Sequence, residues 1–482
     1  MLNSAIVRVN RRMPRPGIWI TFASWLVFAT LDLTGARAQD RLVLLSPHWK
    51  GIEQEFENGF KADYLQRTGR TVDLEWLDVG GTSEALRFIR SEFNNKPDGI
   101  GIDVFFGGGL EPYLALKKDN LLRSYTLPEE LLKKIPPRLG GVPLYDPDHT
   151  WYGATLAGFG IMYNKVVLKL ARLPTIKTWE ELGASPALGW VGSSDPRKSG
   201  SVHMMYEIIL QAYGWEKGWR IITGIGANAR NFTAAATQTP KDVATGEVAY
   251  GLAIDFYAWA QVNEAGSDKI GFVMPENLTI INPDAIAIIK GAPNASVAEA
   301  FIRFVMSPPG QKLWLFRTGA PGGPQKFQLN RFSVLPDLYR VSPQETAVEV
   351  NPFLWRSNFV FDETLSAARY AIVNDLVGAM VIDSKDLLTQ AWKTGLARRY
   401  TDEQWQELAA MPLSAAEALD IARNRWTDQA FRNQKLNECT EFARGKYRKN
   451  LKPPLIRPEW LSLSALGFIA FGLVMYSRSI TR

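Results

Sequence analysis

Glycine and hydroxyl residues coincide with predicted helix starts or strand ends at three places in the chain. Residues 80–84 (GGTSE) and 193–201 (SSDPRKSGS) each follow a predicted strand and open a helix, and residues 107–109 (GGG) follow another strand. Glycine lets backbone amides approach a ligand, helix starts attract anionic oxygens, and hydroxyls add hydrogen bonds. Helix capping alone explains any one of these junctions. Two of them in separate α/β units predict a binding cleft, with Gly81, Thr82, Ser83, Gly107, Gly108, Ser199, Gly200 and Ser201 as candidate contacts.

Four further polar residues lie where a ligand would reach them. His48 follows the first predicted strand and is a candidate contact, although a hydrogen-bonded turn histidine is the alternative. Asp255 and Tyr257 come directly after a strand of the second unit, with Phe256 between them. Asn231 is a polar loop residue that precedes that strand. Aromatic residues at 256 and 257 are equally consistent with ordinary core packing.

The elements that position these residues alternate between strands and helices. Strands are predicted at 42–46, 72–76 and 103–106, with helices over 53–68 and 82–93 between them. This βαβα order predicts a largely parallel sheet covered by helices on both faces. Ligands of such open sheets bind at the carboxyl ends of the strands, which is where the candidate residues lie.

A second α/β unit begins near residue 189, and a strand is predicted at 249–254. Two stretches, 151–163 and 280–289, are predicted to join the two units. Two crossings between lobes are what a hinge needs. From about residue 348 the pattern becomes helical, and we expect this C-terminal region to pack on the first lobe.

Both ends of the chain carry apolar runs. Basic residues precede an apolar stretch at 18–31 and an Ala-Arg-Ala site at 36–38, which predicts a secretory signal peptide over 1–38, with an uncleaved anchor as the alternative. Residues 460–476 carry no charge, and we expect a transmembrane helix over 458–478. A buried or amphipathic C-terminal helix is the other interpretation.

Composition excludes several classes of function. At 482 residues the chain is too long for one core, and its single Cys rules out a disulfide framework or a Cys-based zinc site. The net charge of +6 comes mostly from arginines in the first 38 residues, so it does not indicate binding to nucleic acid. The sequence contains no nucleophile–base–orienter set, Walker loop or dinucleotide fingerprint. We therefore expect neither an enzyme nor a cofactor.

Short segments in a fixed order make residues 41–340 resemble the periplasmic solute-binding proteins of bacterial ABC importers, in the ferric-iron and related-solute group with the type II two-lobe fold. These segments are 44–48 (LLSPH), 103–108 (DVFFGG), 157–165 (AGFGIMYNK), 195–201 (DPRKSGS), 243–247 (VATGE) and 319–324 (GAPGGP).

The resemblance also implies a ligand set. Ferric-binding members hold iron with a His, a Glu and a Tyr pair; His48 and Tyr257 match this pattern, whereas Gly107 and Gly108 replace the Glu and Phe256 replaces one Tyr. Because ferric iron prefers anionic oxygen ligands, a small oxyanion or a chelated metal fits better than the bare ion. No metal ligand is firmly assigned, and His48 and Tyr257 are the candidates. The anion contacts of the family match Ser199, Gly200, Ser201 and Asn231, while Asp255 would suit a cationic group as in polyamine-binding relatives.

Together these features predict an α/β chain with a two-lobe periplasmic-binding-protein type II fold. The expected segments are a signal peptide (1–38), lobe 1 (39–155 and 280–345), lobe 2 (156–279), a helical region (346–450) and a transmembrane helix (458–478). We expect a periplasmic receptor, anchored to the inner membrane, that delivers a small polar ligand to an ABC permease and binds no nucleic acid. A ligand-binding sensor or scaffold module of an envelope complex is the alternative.

Overall fold

The computed structural model describes residues 39–451, apart from Pro343 and Glu349. The predicted signal peptide and the predicted transmembrane helix at 458–478 lie outside the described residues. Within them, one helical stretch, Glu363–Ile382, is long and apolar enough to cross a membrane. Because 72% of the most apolar 18-residue segment of this stretch is buried inside the protein, the stretch is a core helix of the folded chain.

Ten strands form one mixed sheet in the described part of the chain, and two more form a separate hairpin. The order along the main sheet is β2-β1-β3-β12-β7-β10-β8-β9, with β4 beside β12 and β11 beside β7. The strands are β1 (Gln39–Leu45), β2 (Thr71–Leu77), β3 (Val104–Phe106), β4 (Leu122–Arg123), β5 (Arg138–Leu139), β6 (Val142–Pro143), β7 (Tyr152–Asn164), β8 (Val191–Ser194), β9 (Ala229–Thr233), β10 (Tyr250–Ile254), β11 (Ile270–Val273) and β12 (Ile281–Ile289).

Helices cover both faces of the sheet and form the C-terminal region. They are α1 (Lys50–Thr68), α2 (Thr82–Asn95), α3 (Leu110–Lys118), α4 (Glu129–Leu132), α5 (Lys165–Ala171), α6 (Trp179–Leu182), α7 (Gly200–Tyr213), α8 (Trp215–Asn228), α9 (Gln238–Thr245), α10 (Asp255–Ala265), α11 (Ala295–Met306), α12 (Pro308–Leu315), α13 (Glu363–Val377), α14 (Lys385–Arg398), α15 (Asp402–Ala409), α16 (Ala415–Asn424) and α17 (Gln429–Leu451). A π-helical segment, Gly378–Ile382, continues α13.

The long strand β7 links two lobes. Its first half pairs with β12, as in the partners Gly158 and Ile281, and its second half pairs with β10, as in the partners Phe159 and Ile254. We call the layer built on β1–β6 and β12 lobe 1, and the layer built on β8–β11 lobe 2. The two stretches predicted to join the lobes are thus adjacent strands, and the predicted two-lobe α/β fold is confirmed.

The C-terminal helical region packs on both lobes, whereas the sequence led us to expect contact with the first alone. Helix α13 lies against α3 of lobe 1 and α7 of lobe 2, and α14 lies against α8 of lobe 2. Small residues permit the close approach, since a Cβ on Gly226 of α8 would lie 2.1 Å from a methyl group of Val381. One continuous apolar core therefore runs from lobe 1 through lobe 2 into this region.

Candidate functional site

A cavity of about 410 Å³ lies between the two lobes. The loops that follow β1, β2 and β3 line it from lobe 1, and the start of α7 and the end of β10 line it from lobe 2. Its polar lining comprises His48, Asp78, Thr82, Glu84, Lys198, Ser199, Ser201, Thr237, Tyr257 and Asp284. The carboxyl ends of strands in both lobes thus converge on one space, as expected for an open α/β sheet.

The starts of α2 and α7 face each other across this cavity. A Cβ on Gly81, which precedes α2, would lie 1.9 Å from the carbonyl oxygen of Lys198. A Cβ on Gly200, the first residue of α7, would lie 2.9 Å from Cβ of Thr82. Glycine is required at both positions because no side chain fits between the two backbones. The first N–H groups of the two helices, those of residues 82–83 in α2 and 200–201 in α7, are therefore brought to one place. The N–H of Gly81 already donates to Glu84 Oε2 at 2.9 Å.

Hydroxyl groups and one lysine accompany the two helix starts. Thr82 and Ser199 are buried, and Ser199 Oγ also caps α7 by accepting a hydrogen bond from the N–H of Val202 at 3.3 Å. Lys198 is exposed and lines the cavity beside Ser199 and Ser201. The dipole of α7, the hydroxyl donors and the ammonium group together make the α7 side of the cavity favourable for an anion, whereas the Glu84 carboxylate already caps the start of α2.

A buried ionic group forms the other end of the cavity. Arg331 is fully buried and donates from Nη2 to Asp284 Oδ2, and its Nη1 lies 3.2 Å from Nε2 of His48. Its guanidinium also lies over the ring of Phe256, 3.9 Å from the centroid. Hydrogen bonds and a stacked ring therefore fix the positive charge of Arg331 in place.

The charges of this group follow from burial and contact. Burial favours the neutral form of Asp284, but Arg331 and His48 outweigh it and hold the pKa of that carboxyl at about 2. Burial lowers the pKa of His48 below its usual value; Asp284 opposes this lowering and Arg331 adds to it. Burial raises the pKa of Tyr257 to about 12, so its phenol is neutral near pH 7. The group thus combines an arginine cation, a carboxylate and a neutral imidazole.

These donors do not suit a bare ferric ion. Among residues 39–451, apart from the two undescribed positions, no three His, Cys, Asp or Glu side chains are grouped to hold a metal. Nε2 of His48 faces the Arg331 guanidinium, and a cation placed beside it would meet a fixed positive charge. Tyr257 would have to release its phenolic proton to bind a metal that prefers anionic oxygen, and a pKa raised to about 12 increases the cost of that release.

Comparison with known proteins identifies the family. The profile described as "Bacterial extracellular solute-binding protein" matches residues 62–329, which is more than half of the chain. The chain belongs to this family. The match includes most of the lining of the cavity, from Asp78 to Asp284.

Relatives of this solute-binding protein have been named by what they bind or transport. It is 27% identical over 164 residues to the phosphoglycerate transport regulatory protein PgtC of Salmonella typhimurium, covering 34% of this chain and 40% of that protein. It is 28% identical over 267 residues to iron uptake protein A1 of Synechocystis, covering 53% of this chain and 69% of that protein. The chain therefore spans well under two thirds of the first of these relatives.

Solved structures share the fold of this solute-binding protein at low identity. The periplasmic binding protein AfuA of Actinobacillus pleuropneumoniae, solved with fructose-6-phosphate, superposes with a TM-score of 0.56 at 18% identity, over 73% of this chain and 97% of AfuA. The apo ferric ion-binding protein A of Pasteurella haemolytica superposes with a TM-score of 0.54 at 16% identity, over 72% of this chain and 98% of that one. These matches establish a type II periplasmic-binding-protein fold.

Eight of the twelve residues predicted to contact ligand line the cavity of the solute-binding protein. They are His48, Gly81, Thr82, Gly108, Ser199, Gly200, Ser201 and Tyr257. The structure thus brings together residues that are up to 209 positions apart in the chain. Their roles as ligand contacts stay predictions.

The other four predicted residues lie outside the cavity lining, each for a physical reason. Ser83 points away from the cavity, and its hydroxyl meets Tyr370 at 2.6 Å. A Cβ on Gly107 would lie 2.5 Å from the His48 ring, so this glycine makes room for the imidazole. The Asp255 carboxylate accepts from the N–H groups of Gly158 and Phe256 at 2.9 and 2.7 Å, and burial raises its pKa to about 7.

Asn231 is the fourth of these residues. It is exposed on the edge strand β9, pairs there with β8, and does not line the cavity. Four further charged residues line the cavity without having been predicted, namely Asp78, Glu84, Lys198 and Asp284, and Arg331 lies behind them. An available signal for Asp284 was a charged residue inside the apolar stretch 280–289. Arg331 has no local signal, because its partners lie far away in sequence.

Proposed function

We propose that this solute-binding protein captures a small organic oxyanion, such as a phosphorylated sugar, and delivers it to an ABC permease. The observation that carries the proposal is the pair of opposed helix starts, preceded by Gly81 and begun by Gly200, with hydroxyls and Lys198 around them. Amide N–H groups, hydroxyls and an ammonium group form the usual setting for a phosphate or carboxylate.

The rim of the cavity favours a ligand with hydroxyl groups. Asp78 and Glu84 line it on the lobe 1 side, where one oxygen of each carboxylate accepts from the N–H of Gly80 or Gly81 at 2.9 Å. Their other oxygens can accept from solute hydroxyls, and their charge repels a second anionic group. A solute with one anionic end and a hydroxylated remainder satisfies both ends of the cavity. The fructose-6-phosphate bound to AfuA has this chemistry, which supports the proposal. The phosphoglycerate named for the Salmonella relative shares the phosphate but carries a carboxylate as a second anionic group.

A chelated metal is the other ligand that the donor set permits. A ferric complex with an organic acid presents carboxylate oxygens to the helix starts, and it does not need His48 or Tyr257 as direct ligands. Two iron-binding or iron-uptake proteins among the relatives and solved structures support this second candidate. A bare ferric ion and a polyamine are disfavoured, since Arg331 opposes a cation and Asp255 is engaged by backbone N–H groups.

We assign the proposed ligand contacts to residues that line the cavity. Thr82, Ser199 and Ser201 would bind the anionic end with the help of Lys198, and Tyr257 would contact the rest of the solute. His48 and Gly108 would line the base of the cavity. The protein makes and breaks no bond in this proposal, because its task is reversible capture and release.

Membership of the family implies an extracellular location, which in such bacterial proteins is the periplasm. We further propose that residues 458–478 anchor the protein to the inner membrane and that residues 1–38 direct its export. Tethering would raise the effective concentration of the receptor near its permease. We also propose the division into lobe 1 (39–155 and 280–345), lobe 2 (156–279) and a helical region (346–450).

A sensor is the alternative role, and one observation favours it. The Salmonella relative is named a transport regulatory protein, which supports a regulatory role. Deletion of the cognate permease genes separates the two roles, because a receptor then loses uptake whereas a sensor keeps its transcriptional response to the solute.

Isothermal titration calorimetry of the full-length protein tests the proposed ligand class. The probes are 3-phosphoglycerate, fructose 6-phosphate, inorganic phosphate, ferric citrate and spermidine. We expect binding of at least one phosphorylated probe and its loss in the Ser199→Ala/Ser201→Ala variant. Ser384→Ala is the matched control, since its hydroxyl bonds only to the Ala379 carbonyl at 3.4 Å. Binding of spermidine alone would refute the proposal.

A further inference from the structure

We propose that α13 is an interlobe latch: it holds lobe 1 against lobe 2, remains attached to lobe 2, and must release lobe 1 before the cavity opens. The inference rests on contacts that α13 makes with both lobes and does not depend on the identity of the solute. Helix α13 lies between α3 of lobe 1 and α7 of lobe 2. A helix in this position resists any hinge motion that separates those two neighbours.

The attachment of α13 to lobe 2 is ionic and buried. Arg369 of α13 donates from Nε and Nη2 to the Glu207 carboxylate of α7, with an Nη2–Oε1 distance of 2.7 Å. The two side chains are 5% and 0% exposed. Asn374 Oδ1 lies 2.7 Å from Nδ1 of His203, which is also fully buried. Separation of these groups would strand a buried charge, so α13 moves together with lobe 2.

The polar attachment of α13 to lobe 1 is weaker, although the helix packs more extensively on α3 than on α7. Ser366 donates to Glu111 Oε1 of α3 at 3.1 Å, and the Tyr370 hydroxyl lies 2.6 Å from Ser83 Oγ of α2. Glu363 at the start of α13 pairs with Arg138 at 3.4 Å on the surface. Breaking single hydrogen bonds and an exposed ion pair costs far less free energy than breaking a buried salt bridge. The contact with lobe 1 is therefore the one that opens.

Ser83 connects the latch to the cavity. It follows Thr82, which lines the cavity, and its hydroxyl also lies 3.3 Å from the carbonyl oxygen of Pro196 in lobe 2. Two consecutive residues at the start of α2 thus contact the cavity (Thr82) and both lobe 2 and α13 (Ser83). Any solute that draws Thr82 toward α7 also favours the bond between Ser83 and Tyr370, so solute binding and latching reinforce each other.

Pulsed electron–electron resonance measures the latch directly. The full-length protein, in lipid nanodiscs and with Cys439→Ala, carries spin labels at Asn94→Cys in lobe 1 and Lys241→Cys in lobe 2, both of which are exposed positions. Ser366→Ala and Tyr370→Phe are then combined to remove the two buried hydrogen bonds to lobe 1. Each such bond changes an equilibrium by about two- to tenfold. The double variant is expected to shift the ratio of closed to open protein by roughly four- to hundredfold toward open, which appears as a second, longer distance.

Controls separate the latch from a general loss of stability. Tyr447→Phe removes a buried hydroxyl that donates to the Met380 carbonyl at 2.8 Å, inside the C-terminal region and away from lobe 1. This variant should keep the single distance of the parent protein. The proposal is overturned if the Ser366→Ala/Tyr370→Phe variant keeps that single distance while its far-ultraviolet circular dichroism is unchanged. It is equally overturned if Tyr447→Phe produces the same longer distance.

Discussion

Nη2 of Arg331 donates a hydrogen bond to Oδ2 of Asp284, and the pair lies at the base of the interlobe cavity. The two residues are 47 positions apart in the sequence. The side chain of Arg331 is 0% exposed and that of Asp284 is 11% exposed. A charge buried this deeply is stable only with its partner. The pair therefore fixes the base of the cavity in both charge and position.

Loss of Arg331 should destabilise the fold strongly. Arg331→Met would leave the Asp284 carboxylate buried without its main partner, which typically lowers the free energy of unfolding by about 3–5 kcal/mol. Urea unfolding monitored by tryptophan fluorescence gives this value. The double variant Arg331→Met/Asp284→Asn should recover much of the loss, because no charge then remains buried. Equal stability of the single variant and the wild-type protein would contradict the assignment.

Glu111 should make stability depend on pH. Burial raises the pKa of this carboxyl from its usual 4.5 to about 7, with Ser366 lowering it and Glu207 and Glu363 adding to the rise. The folded protein thus holds a proton that the unfolded chain releases above pH 4.5. Its contribution to stability is full below that pH, falls as the pH rises toward 7, and then stays constant.

The variant Glu111→Gln isolates this effect, since its amide oxygen still accepts from Ser366. Relative to wild type, it should gain up to about 3 kcal/mol in free energy of unfolding between pH 5 and pH 8. Urea titrations at four pH values across that window measure the gain. Curves that stay parallel for the two proteins would show that Glu111 titrates normally.

An added methyl group at Gly81 should weaken solute binding. The Cβ of Gly81→Ala would lie 1.9 Å from the Lys198 carbonyl oxygen, so lobes 1 and 2 cannot approach as closely. Overpacking of this kind costs about 1–3 kcal/mol, which predicts an increase in Kd of at least fivefold for the phosphorylated probe. Gly445→Ala is the control, because nothing lies within 4 Å of its Cβ. Calorimetry that gives the same Kd for Gly81→Ala as for wild type would argue against contact between the two helix starts.

Ferric iron should not bind through Tyr257. Its phenol has a pKa of about 12 and lies near the fixed cation of Arg331. Addition of ferric nitrilotriacetate to the wild-type protein should therefore produce no visible phenolate-to-iron absorption band. A band that appears in the wild type and disappears in Tyr257→Phe would reverse this conclusion and favour iron as the direct ligand.

Local sequence patterns were sufficient for much of the fold. The strand predicted at 72–76 corresponds to Thr71–Leu77, and the helix predicted to open at residues 193–201 corresponds to Gly200–Tyr213. Both follow from apolar periodicity and from helix-start residues, which act over a few positions. The same local signals placed Thr82 and Ser199 at the cavity.

Long-range packing accounts for the parts that the sequence did not reveal. The pattern of an amphipathic helix indicates that one face is buried, but it does not indicate which surface covers that face. The contact of α13 with both lobes was therefore not predicted. Arg331 follows an irregular segment, and its partners His48 and Asp284 lie 283 and 47 residues away. Asp255 was expected at the ligand because it follows a strand, but backbone N–H groups occupy its carboxylate.

The apolar faces that α8 and the C-terminal helices share determine whether the protein can be shortened at its C-terminal end. The neighbours of similar fold are covered over nearly their whole length by about 73% of this chain. Truncation after residue 345 would nevertheless uncover the surface around Gly224 and Gly226, which Trp392 and Val381 now cover. Such a shortened protein would aggregate on expression, so the two lobes cannot be prepared alone by trimming the chain to the length of its neighbours.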